Sequence, residues 1–129
     1  MDRILLDNDT VNVGSAVFRI IHTPGHTPGS IVIVTEIAGT KVAFSGDSVG
    51  GYYSLLNRSS LIDWQTSLAK IRDLNPDWLC IGHGKDPVDS KDEIREMIEA
   101  QMQAVVSKRK KQEGDESYRG LQEEMRKER

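Results

Sequence analysis

The run His22-Thr23-Pro24-Gly25-His26-Thr27-Pro28-Gly29-Ser30 cannot be helical, and that exclusion constrains the fold more than any other feature of the chain. Pro24 and Pro28 each disfavour the helical region for the residue before them, and each is followed by a glycine that weakens any helix. Histidines at this spacing on a helix would present both rings on one face. Here the segment is a double turn between two strands, so His22 and His26 need not point the same way. His26, bracketed by two Pro-Gly pairs directly after an apolar strand, is held on a rigid turn with its imidazole free to bind a metal. His22 reads as a polar surface residue in a supporting role.

Two further strand ends carry ligand-type side chains. Lys41-Val42-Ala43-Phe44 is a short apolar strand, and Ser45-Gly46-Asp47-Ser48 ends it in a turn that presents a carboxylate. Asp77-Trp78-Leu79-Cys80-Ile81 is another, followed at once by Gly82-His83-Gly84, whose glycines allow a sharp turn and leave the ring uncovered. Ligands at the C-terminal ends of successive strands converge on one edge of a sheet, where α/β folds place their sites. Two imidazoles and a carboxylate suit zinc, with iron or manganese acceptable to the same donors. Cys80 is read as a buried structural thiol, because its spacing from His83 along a strand puts the two on opposite faces.

The Thr23-Pro24-Gly25-His26-Thr27-Pro28-Gly29-Ser30 run, then Gly46-Asp47, then Gly82-His83-Gly84, in this order and at these separations, resembles the third, fourth and fifth metal motifs of the metallo-β-lactamase fold hydrolases. The resemblance covers about residues 10 to 90. It implies that His26 binds a first metal, that Asp47 bridges two metals and is the catalytic carboxylate, and that His83 binds the second metal. It implies zinc as the cofactor, two ions in a complete domain. The implied activity is hydrolysis of an ester, thioester, lactone or similar bond in a small-molecule substrate. The family's first two motifs, a His-x-His-x-Asp-His run, are absent, and with only three histidines the chain cannot supply them otherwise.

The implied fold is therefore α/β, the C-terminal half of a four-layer αββα sandwich: a mixed sheet with outer helices, spanning residues 1–112. Residues 113–129 form a charged C-terminal tail or marginal helix. One such half leaves an apolar sheet face uncovered, and Ile31-Val32-Ile33-Val34 has apolar residues on both faces, the pattern of a strand buried between layers. The missing N-terminal half, or another chain, is expected to cover that face. Two alternatives stand beside the hydrolase: a non-catalytic interaction module, and a single-metal-binding remnant of the fold.

Elsewhere, Ile4-Leu5-Leu6 reads as a short strand, followed by a hairpin turning at Gly14 and a second turning at Ala38-Gly39. A helix is expected from Leu61, with Ser60 as its N-cap and Asn75-Pro76 as its stop, burying Leu61, Trp64, Leu68 and Ile71. A second starts after Ser90 and buries Ile94, Met97, Ile98, Met102, Val105 and Val106, its C-terminus capped by Lys108-Arg109-Lys110-Lys111. That basic run sits in a chain of formal net charge -3 with few aromatics, which disfavours a nucleic-acid surface. No membrane-length apolar stretch or signal peptide is present, so a cytoplasmic protein is expected. The glycine-hinged loop from Ser48 to Arg58, with Tyr52, Tyr53 and Arg58, is the segment expected to choose the substrate.

Overall fold

The computed structural model describes residues 3–51, 56–83 and 86–127. Five strands and two helices follow one another: β1 (Thr10–Val13), β2 (Ala16–His22), β3 (Ile31–Ile37), β4 (Thr40–Gly46), α1 (Arg58–Leu74), β5 (Trp78–Ile81) and α2 (Lys91–Lys127). The strands form one sheet in sequence order. β1 to β4 are antiparallel neighbours, and β5 joins β4 in parallel through α1. Both hairpin turns lie where the glycines predict: Gly14 has φ 61°, and Ala38 and Gly39 have φ 52° and 82°, the paired positive values of a type I′ turn.

Two expected boundaries move. Helix α1 starts a turn early, because the Asn57 side chain accepts from the Ser60 N–H at 2.9 Å and makes Asn57, not Ser60, the cap. Helix α2 does cap on Ser90, whose hydroxyl accepts from the Glu93 N–H, but it does not end at the basic run. It continues unbroken past residue 112 to Lys127. Arg109 is not a solvated helix end: it donates to the Gln65 side chain of α1 at 3.0 Å and pairs with Glu113 one turn on. Ile4, Leu5 and Leu6 form no strand and are exposed. The chain there is drawn into a turn instead, with the Asp9 carboxylate accepting from the Leu6 N–H at 2.7 Å.

The core lies between one face of the sheet and the two helices. Cross-strand partners Ile21 and Val32, and the row Val34, Ala43 and Leu79, point toward α1 and α2. Helix α1 meets them with Leu61, Trp64, Leu68 and Ile71, and α2 with Ile94, Ile98 and Val105, all essentially inaccessible to solvent. Full burial of each such side chain stabilises by about 1.5 to 3 kcal/mol.

The opposite face has no layer over it among the described residues. Ile20, Ile33, Phe44 and Cys80 form one row there, and Phe18, Thr35, Val42 and Trp78 the next. Phe44 is 40% exposed and Trp78 37%, with Ile31 and Ile37 also open, while Ile20 and Thr35 are buried. This is the uncovered apolar face that the pattern of β3 predicts. It is a face of the kind that sheet-on-sheet packing buries.

The parallel pair β4 and β5 is pinned at its start by Asp77, whose main chain donates to the Lys41 carbonyl while its carboxylate accepts from the Lys41 N–H at 2.8 Å. That backbone hydrogen bond, with Lys91 at 3.2 Å, holds the Asp77 pKa below its ordinary value. A group with a lowered folded-state pKa contributes stability above its unfolded pKa and loses it as pH falls through the folded value. Urea unfolding below pH 4 is therefore expected to show a smaller acid loss for Asp77→Asn than for the wild type; equal acid sensitivity would remove Asp77 from the pH dependence.

Candidate metal centre

His26, Asp47 and His83 come together at the C-terminal edge of β4 and β5. Each is delivered by a local irregularity that its neighbours enforce. The β4–β5 register slips between Phe44 and Gly46, a bulge that turns the end of β4. Gly46 takes φ 52° and its carbonyl accepts from Gly82 N–H at 3.0 Å, which sets the segment bearing His83 beside Asp47. The approach is tight: a Cβ on Gly82 would lie 3.1 Å from Asp47 Oδ1.

The His26 turn is anchored to α1. Gly25 has φ 146°, and a Cβ there would fall 2.2 Å from Trp64 Cβ and 2.3 Å from Trp64 Cα, so only glycine lets the turn rest on the helix. The Ser67 hydroxyl donates to the Pro24 carbonyl at 2.7 Å, and buried Thr23 exchanges a hydroxyl contact with Ser48. The Trp64 ring meets the His26 imidazole edge-on, with centroids 5.4 Å apart. Its indole N–H donates to the Ser48 carbonyl at 2.8 Å, tying the residue after Asp47 to the same helix. His22 turns away: its Nε2 lies 2.9 Å from the Pro28 carbonyl, which gives it a role in bracing the turn.

The carboxylate of Asp47 is shared between the two imidazoles. Oδ2 faces His26 Nε2 at 3.4 Å, and Oδ1 faces His83 Nε2 at 2.8 Å. His26 is the sheltered member and His83 the exposed one, with 21% and 81% of their side chains open. Among the described residues no three His, Cys, Asp or Glu side chains surround a single point. The arrangement is two imidazoles facing one carboxylate, each opposite a different oxygen. Two donors of a tetrahedral zinc at 2.0–2.2 Å stand roughly 3.3 to 3.6 Å apart; the His26–Asp47 separation matches this, whereas His83 and Asp47 are in direct hydrogen-bond contact. The buried Nδ1 of His26 has no hydrogen-bond partner among the described residues. It abuts the main chain of Gly51, where a Cβ would come 2.8 Å from Nδ1 and 2.2 Å from the Asp47 carbonyl.

Trp64 reads in the sequence only as a core residue, and Gln101 does not stand out at all. Gln101 is nevertheless visible in retrospect as a polar side chain within the apolar stripe of α2, three residues after Ile98 and one before Met102. Tyr52, Tyr53, Gly84 and the side chain of Arg58 lie outside the described residues.

The family profile of the Metallo-beta-lactamase superfamily matches residues 1–83. The chain is 36% identical over 86 residues to the "Hydroxyacylglutathione hydrolase" of Cereibacter sphaeroides, covering 64% of this chain and 32% of that protein. It is 41% identical over 61 residues to the "Acyl-coenzyme A thioesterase MBLAC2" of Homo sapiens, covering 47% of this chain and 19% of that protein. It thus spans at most about a third of the length of these relatives. Its fold superposes on the metallo-beta-lactamase of Staphylococcus aureus with a TM-score of 0.66 at 27% identity, covering 82% of this chain and 37% of that one. It superposes on MIM-1 of Novosphingobium pentaromativorans with a TM-score of 0.69 at 21% identity, covering 89% and 49%. A mixed sheet with outer helices that matches part of these structures, together with a family profile over residues 1–83, makes this chain a member of the metallo-beta-lactamase superfamily.

Proposed function

We propose that this chain supplies the His26–Asp47–His83 side of a two-cation hydrolytic centre acting on an ester, thioester or similar acyl bond of a small molecule. The observation that carries the proposal is the shared Asp47 carboxylate, with one oxygen toward each imidazole. Zinc is the best match to these donors, and a bound zinc pair would supply Lewis acidity and activate water near neutral pH. The chain's own residues divide the rest of the work. Asp47 would hold the two cations together, with one oxygen turned toward each imidazole. His26 is oriented by the Trp64 edge and the Gly51 main chain, which keep its Nε2 directed at the carboxylate. His83, on the exposed rim, would complete the second cation's half-site from the turn after β5.

The thioester chemistry finds support in two relatives whose names state it or a closely related hydrolysis. The open sheet face bearing Phe44 and Trp78 calls for a second layer, and we assign that layer to the rest of such a domain, whether carried by the same polypeptide or by a second one. The His-x-His-x-Asp-His ligands absent from this chain belong with that layer.

The test is hydrolysis of acyl thioesters and aryl esters by the zinc-loaded complete domain, this chain joined to the layer that covers its open face, and by its Asp47→Asn variant. Turnover that drops at least about 100-fold in the variant supports the proposal. Zinc uptake by that complete domain without turnover would replace the hydrolase with the single-metal-binding alternative, and equal turnover in the two proteins would remove Asp47 from the chemistry.

A further inference from the structure

We infer that Gln101 of α2 is a positioning residue for the metal centre, acting through the Gly50–Gly51 peptide. The inference rests on the proposed role of His26 and Asp47 as ligands. The Gln101 carboxamide spans that peptide: Oε1 accepts from the Gly50 N–H at 3.0 Å, and Nε2 donates toward the Gly51 carbonyl at 3.5 Å. Gly51 is buried, and its main chain is the wall behind the His26 ring, close enough that a single added carbon would meet Nδ1, Cε1 and the Asp47 carbonyl.

The segment leaving Asp47 is consequently held at two points by two helices. Trp64 of α1 donates to the Ser48 carbonyl, and Gln101 of α2 grips the next stretch two residues further on. With only the first hold in place, Gly51 is free to withdraw from the imidazole, and the ring gains rotational freedom about its own side-chain bonds. Ordered supports of this kind raise metal affinity by pre-orienting the ligand, and their loss typically weakens binding about 10- to 100-fold. A glutamine also explains itself here in a way that packing does not. It occupies a half-buried place in a stripe otherwise filled by Ile94, Met97, Ile98, Met102 and Val105, where an apolar residue would bury more favourably.

The experiment is a titration of Co2+ into the wild-type chain, Gln101→Met and Gln101→Asn, followed by the visible absorption of the bound ion. Methionine keeps the length and packing but neither hydrogen bond; asparagine keeps the amide but is too short to span the peptide. Both variants are expected to bind Co2+ about 10- to 100-fold more weakly than wild type. At saturation both should show an altered absorption envelope, and the Gly50 amide should exchange faster, while the metal-free melting temperatures stay close to wild type. A purely structural role for Gln101 would lower melting without changing the envelope of the bound ion. Wild-type affinity and an unchanged envelope in both variants overturn the inference and leave the ligand assignment standing. No Co2+ uptake by the wild-type chain overturns the ligand assignment itself.

Discussion

Gly25→Ala is expected to destabilise the chain by about 3 to 5 kcal/mol, combining the strain of a side chain at positive φ with overpacking against backbone that cannot yield. The Cβ would fall within 2.6 Å of three Trp64 atoms, two of them main-chain atoms inside a helical turn. Either α1 shifts off the sheet, opening the core around Leu61 and Leu68, or the His26 turn lifts off α1. The second response breaks the Ser67–Pro24 hydrogen bond and the edge contact between Trp64 and His26. Both responses lower the urea midpoint, and the second also displaces His26. Gly29→Ala is the control from the same turn: an added Cβ there meets nothing within 4 Å, so a change within about 0.5 kcal/mol is expected. Equal midpoints for the two variants would show that the turn does not depend on its seat against Trp64.

The second large effect is at Asp47. Four-ligand structural zinc sites gain about 10–16 kcal/mol in total, on the order of 3 kcal/mol per ligand, so loss of one donor weakens zinc binding about 100-fold. Each histidine faces one carboxylate oxygen, whereas Asp47 faces both imidazoles; in the proposed centre each histidine would serve one cation and Asp47 both. Asp47→Ala should therefore lose more affinity than either His26→Ala or His83→Ala, and the ordering distinguishes a shared carboxylate from three donors around one ion.

Much of this placement was legible in the sequence because His26, Asp47 and His83 each stand beside residues with few conformational options. Pro24 and Pro28 rule out helix around His26, and glycines mark the strand ends before Asp47 and His83, so order along the chain translated directly into position at one sheet edge. The supports of those three side chains were not legible in the same way. Trp64 contacts His26 through a helix face, and Gln101 reaches Gly50 from 51 positions away, contacts that tertiary packing alone creates. Boundary errors have similarly local causes. Asn57 and Ser60 are both good caps, and hydrogen bonding decided for Asn57. Gly114 costs a helix roughly 1 kcal/mol, too little to stop α2 while Arg109 remains tied to Gln65 and Glu113. Ile4 to Leu6 carry strand-forming side chains, but the Asp9 carboxylate draws the backbone into a turn.

Calorimetric titration of zinc into the wild type, His26→Ala, Asp47→Ala and His83→Ala tests the shared-carboxylate arrangement most directly. Uptake of at least one ion per wild-type chain is expected, with each histidine variant weakened and Asp47→Ala weakest of all. Wild-type affinity in Asp47→Ala, or uptake indifferent to all three substitutions, would contradict it.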